Sequence, residues 1–192
     1  MRRSASPQYG QFWGKAIKAY LSGQFGEIDK VDPRDASMLY ALDRLTAKDK
    51  IERWLEQGRN IIFDRYIESN YAHQASKYKG EQREEMLKWL HDLEIEQHGM
   101  PESDIVLYLD LPVEYTLKAI KGRNIANNEQ KKKDIHEDNE KHLLDTQETY
   151  RMLVERNENW FNVPCLKADN TRYSREELSA NIWYLVRPHL KK

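Results

Sequence analysis

The sequence predicts an α/β protein: a parallel sheet with helices on its faces. Two runs, "NIIFD" (60–64) and "DIVLYLDL" (104–111), are continuously apolar rather than alternating, the pattern of strands covered on both faces. Helical patterns lie before, between and after them, so the order is helix, strand, helices, strand, helix. A last strand is expected in "NWFNVPCLKAD" (159–169), broken near Pro164, because proline cannot donate to a ladder.

The first helix comes from "GQFWGKAIKAYL" (10–21), whose apolar residues fall at mostly helical spacing before two glycines in "SGQFG" stop it. In the stretch 31–58, Asp32 can cap and Pro33 suits the first helical position. Met38, Leu42, Leu45, Ile51, Trp54 and Leu55 then make one long apolar face, so a single helix is expected up to Gly58. "SNYAHQASKYK" (69–79) and "QREEMLKWLHDLEIEQHG" (82–99) read as helices, and Pro112 opens another in "PVEYTLKAIKGR". "GRNIANNEQKKKD" (122–134) has almost no apolar content and is expected to be an exposed loop. A helix through Leu143, Leu144, Tyr150 and Leu153 follows, and the closing helix starts from a capping box, Ser174 to Glu177.

At 192 residues the chain fits one sizeable domain, 1–192. With 39% hydrophobic and 33% charged residues and a net charge of -1, it is neither disordered nor built to seek a polyanion, so nucleic acid is not an expected partner. Cys165 is the single cysteine, which excludes an internal disulfide or a thiolate metal cluster and suits a reducing compartment. No apolar run reaches eighteen residues, and "MRRSAS" lacks the apolar core of a secretory signal. A cytoplasmic location without membrane contact is the expectation.

Asp64 and Arg65 end the first apolar run, where open parallel sheets bind ligands. A carboxylate there can hold magnesium, and an adjacent guanidinium can grip a phosphate bidentately; an exposed ion pair or a helix cap suits the same dipeptide. Tyr40 and Arg44 are four apart and share a helix face, so a ring and a guanidinium can together hold a nucleobase. Asn70 and either His73 or Gln74 can face the same cleft. Arg123, Lys131, Lys132 and Lys133 give the 122–134 loop the charge of a lid over polyphosphate, although most charge runs are simply solvated.

In that order the blocks "SPQYGQFWGKAIKAYLSGQFGE", "LYALDR", "IIFDRYIESNYAHQ", "IVLYLDLPVEYTLKAIKGR" and "KKKDIHEDNEKHLLDTQETY" resemble the thymidylate kinases, P-loop enzymes that move the terminal phosphoryl of ATP onto thymidine monophosphate (dTMP). The resemblance runs from about Pro7 onward. It implies a three-layer P-loop-type sheet, ATP as donor, Mg2+ as cofactor and a homodimer. By position, Tyr40 resembles the aromatic that stacks on thymine, Arg44 the arginine that contacts the base, and Arg65 the arginine that holds the monophosphate. Asp64 resembles the carboxylate near magnesium, Asn70 and His73 the next contacts to base and sugar, and Tyr9 a residue near the acceptor phosphate. Arg123 and Lys131 to Lys133 fall in the segment that resembles the lid over ATP. Ser6, Gln8 and His73 depart from the family's usual phenylalanine, arginine and tyrosine.

No G-x-x-x-x-G-K-[ST] occurs in the chain. In the family that loop follows the first strand, roughly thirty residues upstream of the stretch corresponding to Pro7. The resemblance therefore implies a truncated amino end that lacks the central strand and the P-loop. Three readings follow: a fragment boundary, a gap filled by a partner chain, or a remnant that binds nucleotide without transferring phosphate. Without backbone amides to cradle donor phosphates, little phosphoryl transfer is expected of the chain alone.

Overall fold

A computed structural model describes residues 1–27, 30–126 and 140–190, and the side chains of 121–126 are not included in it. Strand β1 (Arg2–Ala5) runs parallel to β2 (Ile61–Asp64), with Arg2 opposite Ile61 and Ala5 opposite Asp64. Strand β3 (Val106–Asp110) runs parallel to β4 (Trp160–Pro164), and Pro164 sits at the last paired position, where its missing N–H matters least. The parallel arrangement agrees with the expected α/β class.

Two details differ from the sequence reading. Arg2, Arg3 and Ser4 show no apolar pattern, yet they form β1; pairing with β2, not propensity, makes this strand. Among the described residues the two ladders share no strand, and neither β2 nor β3 is buried along its whole length. Ile61 and Phe63 pack into a core with Ile51, Tyr66, Ile67 and Met100, while Ile62 and Leu109 stay 49% and 51% exposed.

Eight α-helices lie among the described residues. After α1 (Phe12–Leu21), the expected long helix is two: α2 (Pro33–Leu45) and α3 (Lys48–Glu56). Asp32 caps α2 as expected, its Oδ1 accepting from the Arg34 amide at 2.7 Å. The break falls at Thr46, whose hydroxyl donates to the Asp43 carbonyl at 2.7 Å and competes with the helical ladder. Helix α4 (Ile67–Ala75) packs against α2, α5 (Glu81–His91) and α7 (Glu140–Arg156). The segment expected to continue α5 widens into a π-helical turn, Asp92–Gln97, which buries Leu93 and Glu94.

Helix α6 (Val113–Ala126) runs further than expected, so the first residues of the anticipated 122–134 loop are helical; one glycine costs a helix only about 1 kcal/mol. Lys131, Lys132 and Lys133 lie outside the described residues. Helix α7 is tied to the end of β3 by Arg151, whose Nε and Nη2 donate to the Asp110 carboxylate at 3.0 and 3.1 Å. Helix α8 (Arg175–Val186) starts from the expected capping box: the Ser174 amide donates to Glu177 at 2.7 Å and the Glu177 amide to Ser174 at 3.1 Å.

Candidate functional site

Where β2 ends, the backbone makes a turn that few side chains tolerate. Arg65 has φ 63, the left-handed region that costs a non-glycine residue on the order of 1–2 kcal/mol. Such strain persists where the surroundings enforce it, commonly at ligand sites. The turn sends the Arg65 guanidinium beside α4, where its Nη1 donates to His73 Nε2 at 3.1 Å. His73 Nδ1 lies 3.4 Å from Nε2 of His142, a buried residue of α7.

Arg65 opens onto a cavity of about 550 Å³. Helix α4 lines it with Ser69, Asn70, His73 and Gln74; α2 contributes Tyr40 and Arg44; Pro7 and Tyr9 come from the loop after β1. Leu111, Thr116, Ile120 and Leu143 close the side formed by β3, α6 and α7. The sequence-predicted Tyr9, Tyr40, Arg44, Arg65, Asn70 and His73 therefore meet at one hollow. The edge of Tyr40 meets Tyr20 with ring centroids 6.4 Å apart. Burial raises the phenols of Tyr66 and Tyr150, so both keep their protons and act as donors, Tyr66 to the Pro101 carbonyl at 2.9 Å and Tyr150 to Ser69 at 3.1 Å.

Two carboxylates that sequence reasoning did not single out organise this wall. Asp43, fully buried, accepts from the Ser6 hydroxyl at 2.9 Å and from the Gln8 amide at 3.0 Å. It thereby anchors the loop that carries Tyr9. Helix α1 approaches this loop so closely that a Cβ at Gly14 would collide with the Gln8 carbonyl. Glu94, also fully buried, accepts from Nε of Arg44 at 3.1 Å and from its Nη2. Asn70 Nδ2 donates to Glu94 at 3.1 Å and to the Ser37 carbonyl at 3.3 Å. No local signal marked either: Asp43 stands between Leu42 and Arg44 and Glu94 between Leu93 and Ile95, as a solvated helical acid also can.

Asp64 is not among the residues lining the cavity. Its exposed carboxylate lies 3.5 Å from Nη2 of Arg3, and no group of three metal-binding side chains occurs among the described residues. One solvated carboxylate held by an arginine does not by itself make a magnesium centre. Arg123 lies on α6, with its side chain outside the described set. No helix among the described residues is long and apolar enough to cross a membrane.

A sequence model of the family described as thymidylate kinase matches residues 4–163. The chain belongs to the thymidylate kinase family. A probable thymidylate kinase of Thermococcus onnurineus is 30% identical over 185 residues, which cover 94% of this chain and 80% of the relative. One from Thermococcus kodakarensis is 34% identical over 118 residues, 59% of this chain and 53% of the relative; against that relative the chain matches about half the length. The solved structure of thymidylate kinase from Candida albicans superposes with a TM-score of 0.69 at 18% identity, covering 98% of this chain and 80% of that one. The fold is thus that of a thymidylate kinase.

Proposed function

We propose that the cavity is the acceptor site of a thymidylate kinase, an enzyme that transfers the terminal phosphoryl of ATP to dTMP to give dTDP. One observation carries the reading: Tyr40, Arg44, Arg65, Asn70 and His73 line a single hollow. In it Tyr40 stacks on the pyrimidine, Arg44 and Asn70 bond its edge, Arg65 holds the monophosphate, and Tyr9 and His73 border phosphate and sugar. Phosphoryl transfer depends mainly on positioning and on charge stabilisation. These residues supply the acceptor half of that positioning.

The donor half needs ATP and, in this family, usually Mg2+. The sequence contains no phosphate-cradling G-x-x-x-x-G-K-[ST], and the residues around Asp64 do not form a metal site on their own, so no step is assigned to them. On the same reading residues 1–192 form one domain, the 122–134 segment with Arg123 and Lys131 to Lys133 covers the donor phosphates, and two copies pair in the cytoplasm. Nucleic acid and membrane are not partners in this reading, in keeping with the net charge of -1.

The test is calorimetric titration of the purified chain with dTMP and thymidine, beside chromatography of a reaction with ATP, Mg2+ and dTMP. Saturable dTMP binding, tighter than thymidine binding and with little dTDP formed, is expected. No dTMP binding at millimolar concentration would overturn the assignment, and dTDP production at ordinary enzyme rates would show that the chain cradles ATP without the glycine loop.

A further inference from the structure

Two histidines stand where the cavity meets α7, and their hydrogen bonds fix how both are protonated. An arginine can only donate. The 3.1 Å bond from Nη1 of Arg65 therefore requires a bare, accepting Nε2 on His73. A neutral imidazole with a bare Nε2 carries its proton on Nδ1, so across 3.4 Å His73 donates and Nε2 of His142 accepts. The free protein thus holds both rings neutral.

His73 is half-buried and lines the cavity beside Arg65. His142 is buried on α7, with the Thr146 hydroxyl 3.5 Å from its Nε2. Tyr150 of α7 meets His73 edge-on at 6.2 Å, and burial keeps its phenol protonated. Across the cavity stand Arg44 and Tyr40 of α2 and Tyr9 of the loop after β1, while α6 contributes Thr116, Ala119 and Ile120, which do not titrate. No carboxylate is among the described residues lining the cavity; Glu68 and Glu94 are not part of that lining. A proton added to Nε2 of His73 in the free protein would therefore break the bond from Arg65 and set one cation against another. A phosphate dianion on Arg65 reverses that balance, because an opposite charge at close range favours the charged form of a titratable group.

We propose that binding of a nucleoside monophosphate draws a proton from solvent onto the His73–His142 pair, so that His73 joins Arg65 as a second cationic donor to the phosphate. The proposal rests on the reading of the cavity as the acceptor site for dTMP. The proton leaves the buffer and bonds to Nε2 of His73, and the Nδ1–H bond to His142 stays in place. That bond becomes charge-assisted and so stronger, which gives the buried His142 its role: it steadies an imidazolium without meeting the ligand.

Titration calorimetry in buffers of different ionisation enthalpy counts the protons taken up. At about pH 7.5 the phosphate of dTMP is almost wholly dianionic, its second ionisation lying near pH 6, so uptake there belongs to the protein. An uptake on the order of half a proton per dTMP is expected, and none with thymidine. His73→Gln keeps an acceptor for Arg65 but cannot ionise, and should lose the uptake. The ratio of dTMP affinities, unmodified chain over His73→Gln, should rise by about three- to tenfold between about pH 8 and about pH 6, the titration of the phosphate itself cancelling. His142→Gln retains an accepting oxygen and should retain most of the uptake, whereas His142→Leu should diminish it. Should His73→Gln not fold by circular dichroism, the contrast between dTMP and thymidine in the unmodified chain, with the two His142 variants, carries the test. No uptake with dTMP, or the same uptake in His73→Gln, would overturn the proposal. Failure of the cavity assignment is distinct, since it appears as absence of dTMP binding in the unmodified chain and takes the proposal with it.

Discussion

Arg65 donates to His73 across 3.1 Å from a backbone held at φ 63. The strained turn and the hydrogen bond act on the same guanidinium: one aims it, the other stops it swinging into solvent. A phosphate arriving there meets a donor already oriented, so less side-chain freedom is lost on binding.

Arg65→Ala is therefore expected to weaken dTMP binding far more than thymidine binding. A hydrogen bond to a charged group contributes about 1.5–3 kcal/mol, which corresponds to roughly a ten- to hundredfold loss for dTMP. Titration calorimetry with both ligands reads the difference, and equal losses would remove Arg65 from the phosphate.

The same position gives a stability comparison free of ligand. Glycine relieves the left-handed strain that alanine retains, so Arg65→Gly should be more stable than Arg65→Ala by about 1 kcal/mol. Urea unfolding of the two variants measures it. Alanine equal to or above glycine would mean the turn relaxes once the arginine is gone.

Tyr40 is assigned the ring-stacking role. Removing a stacking aromatic costs about 1–3 kcal/mol per base, so Tyr40→Ala should weaken dTMP and thymidine alike, while Tyr40→Phe should bind nearly as the unmodified chain does. Loss in both variants would point instead to the hydroxyl.

Asp43 anchors the Ser6–Gln8 loop from a fully buried position. Asp43→Ala leaves the Ser6 hydroxyl and the Gln8 amide without their acceptor, at about 1–3 kcal/mol for each group stranded without water. A lower midpoint in urea together with weaker dTMP binding is expected. Loss of stability with untouched affinity would show that the loop does not position Tyr9.

Burial pushes the Glu68 carboxyl above the ordinary carboxylate range, against the opposing pull of a hydrogen bond with Ser103. The folded protein therefore holds this proton more tightly than the unfolded chain. Its contribution is fully present below the unfolded value of about 4.3 and is lost as pH rises through the higher folded value. Glu68→Gln should accordingly raise the melting temperature at pH 7.5, with the gain shrinking toward pH 4. A gain that persists at pH 4 would trace it to packing rather than to the proton.

Much of this site was legible because its residues sit at short, regular spacings. Tyr40 and Arg44 lie one helical turn apart, and Arg65, Asn70 and His73 follow an apolar run within nine residues; local periodicity is what a sequence displays most openly. Glu94 and Asp43 were hidden for the opposite reason. Each is an acid whose burial is decided by partners 50 and 37 positions away, and nothing local distinguishes it from a solvated charge. The strand Arg2–Ala5 escaped in the same manner, since only its neighbour Ile61–Asp64 makes it a strand. The split between α2 and α3 turned on one threonine hydroxyl, a competition too fine for an apolar pattern to register.

The half-exposed Ile62 and Leu109 sit on strands that each have a ladder partner on one side only among the described residues. Open strand edges beside apolar side chains are adhesive toward other open edges. The practical result is a ceiling on concentration: light scattering of the isolated chain should climb steeply with protein load. A peptide able to lie along either edge should lower that scattering and improve shelf life in the same vial.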